Sequence, residues 1–100
     1  MPAETCRLDV WLFRTRLCKT RGEAQAIIAK KKLRLTRTGE TARVTKPHFL
    51  IRPGDRVSFM RHRQLIEVEM LAPGTRRGPA TEARSLYLDL TKPDTAHTSG

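Results

Sequence analysis

The chain has 100 residues and carries 20 Lys and Arg against 10 Asp and Glu, a formal net charge of +10. This length predicts one domain without room for a separate catalytic domain, and no apolar run is long enough to cross a bilayer, so we expect no membrane association. Cys6 and Cys18 are too few for a disulfide scaffold and do not form a CxxC pair. Reduced thiols in a cytoplasmic protein are the simpler interpretation.

The positive charge is concentrated in the first two-thirds of the chain. Residues 10–63 hold 15 Lys and Arg and only 3 acidic residues, a net charge of +12. Solubility alone does not require such an imbalance in one region, whereas a concentrated basic surface attracts RNA, DNA or anionic lipid. The charge distribution therefore predicts a polyanion-binding face.

The first predicted element is a helix over Asp9–Leu17. Leu8, Trp11 and Leu12 follow the i, i+3, i+4 spacing of an apolar helix face, which predicts that Trp11 packs in the core. Asp9 lies near the helix start, where a carboxylate caps free N–H groups or meets the positive end of the helix dipole.

A second helix is predicted over Arg21–Lys30. Thr20 and Glu23 have the Thr-x-x-Glu spacing of a capping box, and apolar residues at helical spacing follow them. Cys18 and Lys19 form the tight turn between the two helices.

Beyond Lys32 the apolar period changes to two, which indicates half-buried strands. Short strands are expected around Leu33–Leu35, Ala42–Thr45, Val57–Phe59 and Ile66–Met70, with turns at Thr38–Glu40, Pro53–Asp55 and His62–Gln64. A loop over Pro73–Gly78 then leads to a short helix over Ala80–Leu88, and no pattern continues from Thr91. The predicted class is α+β: two helices, a small antiparallel sheet and a short C-terminal helix.

The residues that could support catalysis do not converge. His48, His62 and His97 are scattered and do not pair with the cysteines at metal-ligand spacing. The chain also lacks a phosphate-binding glycine loop and a nucleophile elbow. We therefore expect a protein that is not an enzyme and that uses no metal or cofactor.

Binding has better candidates at both ends of the second helix. Lys19, Thr20 and Arg21 lie at its start, where N–H groups and the helix dipole favour a phosphate, and Gln25 follows one turn later. The run Lys30–Lys32 with Arg34 lies at the other end, where it is either a second basic cluster or a solvated helix end. Only five residues are aromatic, so recognition by shape and phosphate, as in structured RNA, is favoured over base stacking.

Four fragments in this order resemble the S4 RNA-binding domain, and in particular the free-standing ribosome-associated heat shock protein 15 family. They are Arg7–Leu12, Lys19–Ala24, Lys46–Pro47 and Arg52–Asp55. The segment Arg76–Tyr87 resembles the C-terminal extension of that family. The resemblance covers residues 7–88.

The resemblance implies the S4-like (alpha-L) fold, with two helices on a bent antiparallel sheet and an RNA-facing surface built from the helices and the adjoining strand. With the basic residues noted above, the predicted RNA-binding set is Arg7, Arg14, Lys19, Thr20, Arg21, Gln25, Lys30, Lys31, Lys32, Arg34 and Lys46. The implied organisation is an arm (1–6), an S4-like RNA-binding domain (7–72), a C-terminal loop and short helix (73–90) and a disordered tail (91–100).

The resemblance also implies partners. Members of this bacterial stress-response family associate with the large ribosomal subunit and are thought to recognise stalled subunits that still hold transfer RNA. We expect ribosomal RNA, the ribosome and transfer RNA as partners, and a monomer. The alternatives are a module or subunit of an RNA-modifying enzyme such as a pseudouridine synthase, and a nonspecific binder of DNA or other polyanions.

The sequence departs from the family pattern at two places. Lys30 and Lys31 stand where the family usually has glycine, which predicts a longer helix or an unusual backbone at one lysine. The usual Asn-Gly turn is replaced by residues 36–42, for which we expect a longer turn.

Overall fold

Apolar spacing and capping produce the helix pair at the start of the computed structural model, which describes residues 4–91. The elements in chain order are β1 (Cys6–Arg7), α1 (Leu8–Arg14), α2 (Arg21–Ala29), β2 (Leu33–Arg37), β3 (Glu40–Val44), β4 (Leu50–Ile51), β5 (Arg56–Arg61), β6 (Gln64–Met70), α3 (Ala80–Arg84) and β7 (Tyr87–Asp89). The predicted α+β class is confirmed as three helices on a small antiparallel sheet.

The predicted capping box is present at the start of α2. Thr20 Oγ1 accepts a hydrogen bond from the Glu23 N–H at 2.9 Å, while Glu23 Oε1 accepts from the Lys19 N–H at 2.7 Å. The glutamate thus reaches one residue further back than in the usual box, where it would bond the N-cap N–H. The turn between the helices is fastened to α2 by this second bond.

Helix α1 is shorter than predicted, because it ends at Arg14 rather than Leu17. The buried Thr15 hydroxyl donates to the Trp11 carbonyl at 2.9 Å and competes for the carbonyls of the last turn. Arg16 then takes a left-handed conformation with φ 63°, which terminates the helix.

The main sheet has five strands in the order β3-β2-β5-β6-β7, and β1 pairs separately with β4. All the pairings are antiparallel. The four predicted strands are present, whereas β1, β4 and β7 were not predicted.

Two turns in the sheet use left-handed backbone. Thr38 and Gly39 have φ values of 50° and 85° and join β2 to β3, with Arg37 opposite Glu40. The expected longer turn is therefore wrong, because Thr38-Gly39 occupies the two positive-φ positions of a tight hairpin. His62 and Arg63, with φ values of 52° and 64°, join β5 to β6 in the same way.

The core lies between the helix pair and one face of the sheet. Trp11 is fully buried, as predicted, and its indole N–H donates to the Ala72 carbonyl at 2.9 Å. On β2, Leu33 and Leu35 point into this core while Arg34 is exposed on the opposite face. The sheet therefore has an apolar inner face and a solvated outer face.

The C-terminal helix is also shorter than predicted. Helix α3 ends at Arg84, and Tyr87–Asp89 forms β7 against β6 instead of continuing to Leu88 as a helix. The Ser85 hydroxyl bonds the Glu82 carbonyl at 2.6 Å where the helix stops, and the chain beyond gains sheet hydrogen bonds. Of the predicted tail, residues 92–100 lie outside the described residues.

Candidate nucleic-acid interface

A buried carboxylate organises the first basic cluster. Asp9 is fully buried in the first turn of α1, and its oxygens accept hydrogen bonds from Arg7 Nε at 3.1 Å and Nη2 at 2.9 Å. Gln25 Nε2 donates to Asp9 Oδ2 at 2.9 Å, and Arg21 Nη2 lies 3.8 Å from the same oxygen. The two arginine side chains remain 45% and 49% exposed, respectively, so each turns one side to Asp9 and another to solvent. We call Arg7, Asp9, Arg21 and Gln25 the Asp9 cluster.

Asp9 stays charged within this cluster. Burial raises the pKa of its carboxyl, but hydrogen bonds from Gln25 and Arg7, with the Arg7 charge and the Val10 N–H, outweigh burial and hold the pKa below its usual value. The sequence predicted that Asp9 caps free N–H groups or meets the helix dipole at the start of α1. Asp9 lies in the first turn, and its Oδ1 accepts a hydrogen bond from the Val10 N–H at 2.8 Å. The Arg7 side chain and the Gln25 amide are additional partners that the sequence did not predict.

The N-terminus of α2 lies next to this cluster. Its N-cap Thr20 is exposed, and so is Lys19, whose side chain makes no bond within the described chain. In the described residues the backbone N–H groups of Arg21 and Gly22 have no partner. Free N–H groups, the helix dipole and neighbouring cations together suit a phosphate oxygen.

Lys46 is brought to the start of α1 by the segment that carries it. The Leu8 N–H donates to the Phe49 carbonyl at 2.8 Å, and the Asp9 N–H donates to the Pro47 carbonyl at 3.2 Å. These bonds satisfy two N–H groups of the first helical turn. Lys46 is exposed and directly precedes Pro47, the residue whose carbonyl bonds Asp9 of the Asp9 cluster.

The remaining predicted cations lie at the other end of α2. Lys30 is its C-cap residue, and Lys31 and Lys32 follow, all exposed. Lys31 has φ 60°, so the expected unusual backbone at one lysine is confirmed. Arg34 lies on the outer face of the sheet, opposite Arg43. Arg43 was not among the predicted RNA-binding residues, although its alternation with Ala42 and Val44 indicated that it lies on the outer face.

Arg14, in contrast, is engaged by the C-terminal segment. Its Nη1 donates to the Gly74 carbonyl at 2.8 Å, and Arg16 Nε donates to the Gly78 carbonyl at 2.6 Å. Arg77 lies 4.8 Å from the centre of the Phe13 ring and donates to the Phe13 carbonyl at 3.1 Å. These three arginines hold residues 73–78 against α1, and Arg77 covers the Phe13 ring.

The described part of the chain offers few features for metal binding, membrane insertion or thiol reactivity. Residues 4–91 contain no group of three or more His, Cys, Asp and Glu able to hold a metal ion. None of the helices described is long and apolar enough to cross a membrane. Burial raises the pKa of the Cys6 thiol to about 11 and that of Cys18 to about 12.

Comparison with known proteins agrees with this architecture. Residues 6–35, which run from β1 into β2, match the family model of the S4 domain. The matched segment and the fold agree with the S4-like fold that the sequence predicted. The chain is similar to heat shock protein 15 of Vibrio cholerae, a trimer in its 2.3 Å structure, with a TM-score of 0.73 and 25% identity over 96% of this chain and 89% of that one. No curated protein sequence matches. The S4 domain and this similarity together support RNA binding.

Proposed function

We propose that the chain is a non-enzymatic protein that binds ribosomal RNA of the large subunit through phosphate contacts from α1 and α2. The observation that carries the proposal is the Asp9 cluster. A buried carboxylate holds Arg7 and Arg21 side by side at the start of α2, with both side chains about half exposed. Because the guanidiniums are already oriented, less side-chain entropy is lost when a phosphate binds.

Gly22 supports the same proposal. A Cβ at this position would meet only the Thr20 hydroxyl, at an ordinary 3.7 Å, so the packing of the protein does not require glycine here. Glycine within a helix costs roughly 0.5–1 kcal/mol relative to alanine. Its value here is the space that it leaves above the free N–H groups, where an RNA backbone can approach closely.

The cellular role that we propose follows from the resemblance to the heat shock protein 15 family. The chain would recognise stalled large subunits in the bacterial cytoplasm under stress, with ribosomal RNA and transfer RNA as its contacts. Lys19, Thr20 and Lys46 extend the Asp9 cluster to a surface that can span several phosphates. Recognition by shape and phosphate suits folded RNA, whose base edges are largely inaccessible to side chains.

Crosslinking in living cells followed by sequencing of the attached RNA tests this function. We expect reads concentrated at one region of the large-subunit ribosomal RNA, lost in Lys19→Ala/Arg21→Ala and retained in the control Arg52→Ala/Arg84→Ala, which removes two exposed arginines elsewhere. Reads spread over unrelated RNA, or equal in both variants, would contradict the proposal.

A further inference from the structure

The outer face of the sheet carries a second basic site that lies away from the Asp9 cluster. A groove of about 480 Å³ runs along this face. Its lining includes four cations and two exposed apolar side chains: Lys31, Lys32, Arg34, Arg43, Met60 and Leu65. We call it the sheet groove.

Two arginines face each other across the strands of this groove. Arg34 on β2 is the register partner of Arg43 on β3, and both are exposed. Neither makes a salt bridge or a side-chain hydrogen bond within residues 4–91. Like charges directly opposite on neighbouring strands destabilise a sheet. An anion bound between the two guanidiniums would remove that repulsion.

The backbone is strained at one basic residue of the groove. Lys31, which lines the groove, has φ 60°. Glycine or asparagine would occupy such positions more cheaply, and residues held there cost roughly 1–3 kcal/mol each. Strain of this kind concentrates at functional sites. Here it coincides with positive charge at one end of the groove.

The groove also has an apolar side that phosphate alone does not explain. Met60 and Leu65 are register partners on β5 and β6, and they are 48% and 52% exposed. No acidic residue is among the residues that line the groove. Cations on one side attract a phosphate, while the apolar surface on the other can bury the face of an unpaired base.

We propose that the sheet groove binds an unpaired stretch of RNA, with phosphates at Arg34, Arg43 and the lysines and with bases against Met60 and Leu65. Paired RNA keeps its bases inside the helix and cannot offer them to a concave surface. The inference rests on the proposed function, and it divides the work between two sites. The Asp9 cluster holds folded RNA by its backbone, while the sheet groove holds an adjoining single strand.

Fluorescence anisotropy with two labelled probes tests the division: an unstructured oligouridylate and a fully paired RNA hairpin. For the oligouridylate, Arg34→Gln/Arg43→Gln should weaken binding about tenfold and reduce the salt slope by about 1.4, the value for two single-strand phosphate contacts. Met60→Ser/Leu65→Ser should weaken it several-fold without changing the slope. The matched control Arg52→Gln/Arg84→Gln, which removes the same charge, should bind as wild type.

The hairpin probe separates this inference from the function on which it rests. We expect Lys19→Ala/Arg21→Ala to weaken hairpin binding and the groove variants to leave it nearly unchanged. A wild-type protein that binds the hairpin but not the oligouridylate would overturn the sheet groove alone, as would groove variants equal to the control. Binding of neither probe would overturn both proposals. Binding of phosphatidylserine vesicles that the groove variants abolish, without loss of oligouridylate binding, would assign the groove to lipid and contradict the inference.

Discussion

The buried carboxylate of Asp9 accepts hydrogen bonds from Nε and Nη2 of Arg7, at 3.1 and 2.9 Å. The same carboxylate takes an N–H from Gln25, on the neighbouring helix. One acidic residue therefore both joins α1 to α2 and orients a cation at the proposed RNA surface. Stability and binding should respond together when it is changed.

Asp9→Asn tests this double role. The amide keeps the shape but loses the charge that Arg7 and Gln25 bond, so we expect a loss of about 1–3 kcal/mol in the free energy of unfolding. RNA affinity should also fall, because Arg7 and Arg21 lose their common anchor. Urea denaturation and RNA titration measure the two effects. The control Glu40→Gln changes an exposed carboxylate in the same way and should alter neither property by a comparable amount.

The pH dependence of stability gives a separate test of Asp9. Its folded pKa is lowered, so its stabilising contribution is present above the unfolded pKa of about 3.9 and is lost as the pH falls through the folded value. The stability gap between wild type and Asp9→Asn should therefore be constant near neutral pH and should shrink below about pH 4. A gap that grows on acidification would show that the carboxylate is not held in its charged form.

Gly22→Ala should move stability and binding in opposite directions. The added methyl fits the protein at 3.7 Å from Thr20 and favours helix α2 by up to about 1 kcal/mol. It also occupies the space above the free N–H groups, so RNA affinity should fall several-fold. Thermal denaturation and RNA titration of the same preparation measure both quantities. A variant of higher Tm with unchanged RNA affinity would show that no RNA backbone approaches this turn.

Arg14→Ala distinguishes structural arginines from binding ones. The variant loses the bond from Arg14 Nη1 to the Gly74 carbonyl at 2.8 Å, and stability should fall by about 0.5–1.5 kcal/mol. Because this guanidinium is already engaged, RNA affinity should fall no more than in Arg52→Ala, which removes an exposed arginine whose side chain bonds no residue between positions 4 and 91. A large loss of RNA affinity at unchanged stability would return Arg14 to the binding surface, where the sequence placed it.

The cysteines should be inert in the folded protein. With pKa values raised by burial to about 11 and about 12, Cys6 and Cys18 hold almost no thiolate near neutral pH. Iodoacetamide at pH 8 should label the folded chain far more slowly than the chain unfolded in urea, as followed by mass spectrometry. Rapid labelling of Cys18 in the folded state would mean that the helix pair opens readily.

The elements that the sequence predicted well are those with a local signal. The capping box at Thr20 and Glu23 requires residues three apart, and alternation over Leu33–Leu35 requires only the pleat of a strand. The two-residue strands β1 and β4 are too short to show any period. Tyr87 and Leu88 of β7 were predicted as the end of a helix, because their partners Met70 and Glu69 lie on β6, outside the local sequence.

The candidate site divides in the same way. Lys19, Thr20 and Arg21 could be placed at a helix start because a capping motif marks it. The role of Asp9 could not, since it depends on Gln25, a residue on another helix. The engagement of Arg14 depends on a carbonyl about 60 residues later, and no local pattern shows such a contact.

The central claim is that RNA phosphates bind at the start of α2, and RNA affinity of Lys19→Ala/Arg21→Ala measured across salt concentrations tests it most directly. If these side chains contact phosphates, the variant should bind ribosomal RNA at least tenfold more weakly, with a salt slope reduced by about 1–2, while its thermal midpoint stays close to that of the wild type. An affinity and a salt slope equal to those of Arg52→Ala/Arg84→Ala would contradict the account.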